Sequence, residues 1–371
     1  MRAAVAAGEA RPLSIGLTLT RTGIVLGGAG LLLIVLLVTA VAVGTADVGF
    51  GDTAAILGRR LLALPIPETW APSDEQIIFL IRLPRVLTAM LVGGGLAMAG
   101  TVFQAVLRNP LADPYVIGTA AGASFGAALG IVAPLALPAL AIGAGTSLLG
   151  LGVVQLLAFV GGLGTVLLVY AIARGAGRVQ VVTLLLTGYA VSAVLAAMVA
   201  LLMFVSGRAL AAIFGWLMGS LANPSWVALA FATPLMLVSF AFLLGRWRRL
   251  NLLLLGDAQA ASLGMNVERE KLVLTVLATL ATSAAVAISG TIGFVGLVVP
   301  HLLRLAIGPD HRLLLPTSLL VGAGLLVVAD LGARLVPGGG IPVGVVTALI
   351  GAPFFLWLLR RSRLVRPELS A

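Results

Sequence analysis

Side chains able to do chemistry are sparse in this sequence, and they do not gather. The 371 residues include no cysteine, so neither a disulfide nor a thiolate metal site can form. The two histidines, His301 and His311, do not stand at a spacing that argues for zinc, and no metal site is expected. Acids, histidines and nucleophile–base pairs collect on no segment, so no enzyme constellation presents itself. The single lysine, Lys271, follows Glu270 rather than a glycine loop. It cannot be the phosphate-reaching lysine of a P-loop, so any use of ATP needs a second polypeptide. No cofactor is expected on this chain.

The remaining candidates are arginines and a few polar groups beside apolar runs. Arg82 and Arg85 flank Leu83-Pro84, and Arg334 stands at the end of a later apolar run. Such arginines either snorkel toward lipid headgroups or offer their planar forks to the carboxylates of another protein. Gln104, Gln155 and Asn109 fit hydrogen bonds between helices. Asp330 lies on the same helix face as Arg334 and can pair with it. His301 and Arg304 suit a helix C-terminus and read as structural.

The elements that must position these groups follow from composition. Hydrophobic residues make up 60% of the chain and charged ones only 10%, against roughly 25% in ordinary soluble domains. The net charge of +10 does not indicate nucleic acid, because the basic residues sit between apolar segments. With about 20 apolar residues per crossing, ten spans are expected: 23–43, 78–106, 115–133, 147–172, 180–205, 225–245, 270–289, 292–307, 313–335 and 342–359. The first is longer than a signal-peptide core and reads as retained. The third is short, and the seventh and eighth are parted only by Ser289-Gly290-Thr291, so one of these two reads equally as a broken or re-entrant helix. With the N-terminus cytoplasmic, seventeen of the basic residues fall inside and six outside, as the positive-inside rule demands. The expected fold is all-α and polytopic, with both ends cytoplasmic. Residues 1–22 and 361–371 read as cytoplasmic tails around a transmembrane domain at 23–360. The outer loop 45–74 gives no clear signal.

Two stretches carry more detail. Gly118, Gly122, Gly126 and Gly130 recur every fourth residue, which places them on one helix face where another backbone can approach closely. The longest inner connection, 246–270, contains a short helix Ala258–Leu263 that Asp257 can cap and Gly264 can end. Asn266 can then cap the seventh span, with Glu268 and Glu270 in its first turn. This capped loop is either an inert surface turn or a lever that another protein grips.

Seven ordered blocks carry a family resemblance: RLPR at 82–85, AGTVFQAVLRNPLADP at 99–114, GTAAGAS at 118–124, FGWLMGSL at 214–221, LG at 263–264, GFVGLVVPHLLR at 293–304 and IPVGVVTALIGAPFFLWLL at 341–359. Together they resemble the permease subunits of binding-protein-dependent ABC importers for iron–siderophore complexes, haem and vitamin B12. The resemblance spans residues 77 to 360. It implies a second permease subunit, identical or not, two cytoplasmic ATPases that hold the ATP and magnesium, and an extracytoplasmic binding protein, in the cytoplasmic membrane. It further implies that Arg82, Arg85 and Arg334 meet acidic residues of the binding protein. The loop Gly256, Asp257, Ala258, Gln259, Ala260, Ala261, Ser262, Leu263 and Gly264 would be the coupling helix. Family gates lie at the turn that here reads Val181, Val182 and Thr183, an apolar plug in place of the small polar residues of some relatives; the alternative is that these valines begin a lipid-facing helix. The cargo implied is an iron–siderophore or haem-type chelate, with cobalamin as the alternative. An ion-coupled secondary transporter is the competing class, disfavoured because no ionisable group falls clearly at mid-membrane.

Overall fold

A computed structural model describes residues 19–44, 46, 48–136, 152–175, 178–223, 225–337 and 340–364. Most of both expected tails, residues 147–151 of the fourth expected span, and Gly338 and Gly339 lie outside the described residues. The helices in chain order are α1 (Leu19–Ala42), α2 (Phe50–Leu62), α3 (Leu83–Val106), α4 (Thr119–Ala136), α5 (Val153–Ala173), α6 (Val181–Val205), α7 (Leu210–Leu217), α8 (Trp226–Gly245), α9 (Trp247–Leu254), α10 (Asp257–Ser262), α11 (Val267–Ser289), α12 (Val295–Ile307), α13 (His311–Arg334) and α14 (Val343–Leu364). A two-residue antiparallel ribbon, β1 (Arg174–Gly175) with β2 (Arg178–Val179), links α5 to α6.

Each of the ten expected spans is matched by a helix: α1, α3, α4, α5, α6, α8, α11, α12, α13 and α14. Among the described residues seven helical runs are long and apolar enough to cross a membrane, while α4, α12 and α14 are shorter apolar helices. At 13 residues, α12 reaches only about 20 Å. It begins beyond a break made by Gly290 at φ 68° and Phe294 at φ 68°. Of the two spans left open by the sequence, the eighth is therefore the short, broken one.

The centre is α3. A helical turn at Pro72–Gln76 and a π-helical turn at Ile77–Arg82 lead into it, so one run of 35 residues extends from Pro72 to Val106. Nearly every residue of α3 is buried, against α13, α11, α12 and α8. Small residues make this possible. A Cβ on Gly93 would strike the Gly322 carbonyl of α13, and one on Gly100 would strike the backbone of Gly296 in α12. Without a hydrophobic driving force in lipid, such backbone approach is what favours helix pairing.

The same logic holds α4 on α5. A Cβ at Gly122 would meet Thr165 and the Gly161 carbonyl, one at Gly126 the Leu157 carbonyl, and one at Gly130 the Val154 Cα. Gly118 does more than extend the stripe. It precedes α4 at φ 96°, where only glycine sits without strain, so it makes the turn into the helix, and a Cβ there would also crowd Thr165 of α5 and Ser192 of α6 at 3.1 Å.

The bundle has two distinct ends. One carries α2, the Arg82 turn and the end of α13. The other carries α9 and α10 and the starts of α1, α6, α11 and α13. The silent loop 45–74 contains α2, an amphipathic helix of 13 residues stopped by Ala63 at φ 51°. Beside α2, Arg59 pairs with Glu68 at 2.8 Å and Arg60 with Glu75 at 2.5 Å.

Candidate functional site

At the α10 end, the sequence dictates a rigid turn. Leu250 and Leu253 bury one face of α9. Gly256 then turns the chain at φ 104°, and the six residues of α10 follow. Gly264, at φ 85°, ends the helix: its N–H donates to Ala261 O at 2.9 Å and that of Met265 to Ala260 O at 3.1 Å. Those two bonds satisfy carbonyls that a helix end leaves open. Asn266 caps α11, its side chain accepting from Arg269 N at 3.1 Å. The expected terminator and cap are therefore both in place.

One expectation is corrected. Asp257 is not the cap of α10; Gly256 occupies that position and Asp257 is the first helical residue. Its carboxylate accepts from Lys271 Nζ at 2.6 Å and lies 3.5 Å from Arg108 Nη2. The preceding residue of α11's pair, Glu270, is buried and takes Arg246 at 3.0 Å and also Arg249. Consecutive residues of α11 thus tie down the start of α9 and the start of α10. Ala260 faces inward, while Ala258, Gln259, Ala261, Ser262 and Leu263 are exposed. Small side chains flanked by exposed Leu255 and Leu263 form a slim ridge suited to a cleft on another protein.

At the start of α6, the three candidate gate residues part company. Val181 packs against the core, whereas Val182 and Thr183 are exposed. From Val182 the uncovered stripe runs through Leu186, Tyr189, Val194, Leu201 and Phe204. Among the seven long apolar helices of the described residues, α6 has the least buried apolar stretch.

At the opposite end, the three arginines expected to point outward are turned inward. Arg82 donates to Val41 O at 3.0 Å, Ala42 O at 2.6 Å and Ala46 O. Arg334 donates to Ala40 O at 2.8 Å. Arg85 grips Asp330 through Nε and Nη2 at 3.0 and 2.8 Å, and Arg334 Nε lies 3.6 Å from the same carboxylate. The Asp330–Arg334 pairing is as expected; the outward presentation is not. The physical reason is the C-terminus of α1, whose last carbonyls have no partner within the helix and carry its negative dipole end. Guanidinium groups satisfy both demands where water is scarce.

Between the ends, Gln104 links three elements. Its Nε2 donates to Ala112 O and Leu297 O, both at 3.3 Å, and its Oε1 accepts from Arg304 at 2.9 Å. The interhelical role expected for Gln104 is thus present, while Asn109 instead closes its own turn onto Leu111 N. In that turn, burial pushes the Asp113 carboxyl up to about 6, against the lowering effect of the Tyr115 N–H it accepts. Sequence reasoning missed a glycine knot at the α2 end. There Ser220 N donates to Ser289 O at 2.8 Å and Gly344 N to Gly219 O at 3.1 Å, tying the blocks at 214–221 and 341–344 to the break between α11 and α12.

Comparison with known proteins bears on this arrangement. A profile of the FecCD transport family matches residues 32–361. The hemin transport system permease protein of Yersinia pestis is 42% identical over 339 residues, covering 90% of this chain and 95% of the relative. The cobalamin import system permease protein of Halobacterium salinarum is 44% identical over 299 residues, 81% and 76% of the two chains. The molybdate import system permease protein of Haemophilus influenzae is 38% identical over 332 residues, 89% and 94%. A solved structure described as an inward-facing conformation of a metal-chelate type ABC transporter superposes with a TM-score of 0.76 at 35% identity, covering 91% of this chain and 99% of that one.

Proposed function

This chain belongs to the FecCD transport family, as a multi-pass permease subunit of an ABC importer, and from that premise we propose that it forms half of a cytoplasmic-membrane pore for an iron–siderophore or haem-type chelate. An extracytoplasmic binding protein delivers the cargo at the α2 end. Two ATPase subunits grip α10 at the other end, and their closure around ATP displaces it. The uncovered stripe of α6 faces the second permease subunit and the pore, with Val181, Val182 and Thr183 sealing by exclusion of water.

The observation that carries this reading is α10 itself: a six-residue helix held by Gly256 and Gly264, with its small-residue face exposed and its base pinned to α11. An inert turn does not need such fastening. Glu270 and Asp330, buried at opposite ends of the bundle, are both paired with arginine, and Asp113 lies in the turn after α3 rather than within a span, which argues against an ion-coupled carrier. Iron chelate and haem are favoured by the hemin permease of Yersinia pestis and by the Fe(3+) dicitrate transport system permease protein of Escherichia coli, 38% identical over 324 residues. The cobalamin relative supports vitamin B12 as the second reading. Uptake of labelled ferric siderophore, haemin and cobalamin by a deletion strain tests the cargo. Loss of ferric siderophore or haemin uptake is expected; loss of cobalamin uptake alone transfers the assignment to vitamin B12, and unchanged uptake of all three removes it.

A further inference from the structure

Lys271 is the only lysine of the chain, and it is buried although its partner is not. Its side chain is 6% exposed, against 42% for Asp257. Burying an ammonium is costly unless it is well paired, so its place calls for a reason beyond fastening a surface turn. Arg108 approaches the same carboxylate from the turn after α3, with its own backbone at φ 49°, a conformation that few non-glycine residues adopt.

Lys271 also lines a small void with Val106 at the end of α3 and Leu107 just beyond it, Tyr170 of α5 and Val181 and Leu184 of α6. Thr275, one turn along α11, lines the same void with a buried hydroxyl that has no hydrogen-bond partner among the described residues. The ammonium therefore has its acceptor on α10, while the residue shares a void with Val181, the first residue of α6.

We propose that Lys271 is the positioning residue that joins the α10 turn to the start of α6, so that movement of α10 is passed through Lys271 to Val181 rather than along the chain. The proposal rests on the permease reading above and adds to it a specific route. Spatial intermediacy alone is not coupling, so the route needs a test in the assembled transporter.

The complete transporter is reconstituted in liposomes, with spin labels at Ser262 on α10 and at Gln180, the exposed residue before α6. Distances are read before and after trapping with ATP and vanadate, together with the stimulation of ATP hydrolysis by the binding protein. In the native sequence both labels shift. With Lys271→Met, which leaves Asp257 half-exposed and 3.5 Å from Arg108, Ser262 still shifts and Gln180 does not. Stimulation falls at least about tenfold, equal to about 1.4 kcal/mol of lost coupling. Lys271→Arg restores both readouts. Val181→Ala, at the far side of the void, reduces the Gln180 shift without touching the ion pair and serves if Lys271→Met fails to assemble. A Gln180 shift that survives both variants overturns the proposal, as does a Lys271→Arg variant no better than Lys271→Met. A native complex in which ATP moves neither label overturns the permease reading itself.

Discussion

Replacing Arg82 with methionine separates two accounts of the arginine cluster. Arg82 supplies three hydrogen bonds, to Val41 O and Ala42 O at the end of α1 and to Ala46 O just beyond it. This helix is otherwise thinly attached, with only 17% of its most apolar stretch buried. Each carbonyl left without a donor in a dry setting costs about 1–3 kcal/mol, and the arginine's own burial cost is recovered on its removal. The net loss is about 3 kcal/mol, which multiplies the open population of the α1 terminus roughly a hundredfold. Hydrogen exchange by mass spectrometry on the protein in lipid nanodiscs reads this directly. Exchange should accelerate by that order over residues 40–48 and stay unchanged in α3 and α11. A binding-protein contact would give the opposite result: lowered affinity for the binding protein with native exchange at α1. Unchanged exchange over 40–48 refutes the capping argument.

Two further substitutions follow from the packing. Gly126→Leu drives a side chain into the Leu157 carbonyl and should separate α4 from α5 at a cost of at least about 3 kcal/mol, read as a lower midpoint of thermal unfolding in detergent; a midpoint within 1 °C of the native value, by roughly the size scaling of such shifts, contradicts it. Ala260→Pro removes the N–H that donates to Gly256 O at 2.9 Å and should break α10. The bundle should keep its stability while binding-protein stimulation of ATP hydrolysis is lost, and stimulation that persists removes α10 from the coupling role.

Much of this architecture is legible in the sequence because membrane helices announce themselves locally. Apolar runs gave all ten spans, glycine spacing gave the α4–α5 contact at Gly122, Gly126 and Gly130, and side-chain chemistry gave the Asn266 cap and the Gly264 stop. The failures are non-local. Pairs such as Gly93 with Gly322 and Gly100 with Gly296 are joined only by tertiary packing, so neither partner carries a sign of the other. Arg82 and Arg334 read as surface groups because their charge was visible and the open carbonyls of α1 were not. Asp257 was read as a cap from its residue type, but Gly256 reaches the required conformation and frees the carboxylate for Lys271. The amphipathic α2 lay hidden in a loop too polar to read as a span.

The most direct test of the whole account is flux through defined vesicles. The permease is reconstituted alone, then with its ATPase and binding protein, and loaded with ferric siderophore or haemin outside. No accumulation is expected from the permease alone, and ATP-dependent accumulation is expected once all components are present. Cargo-specific accumulation by the permease alone would contradict it.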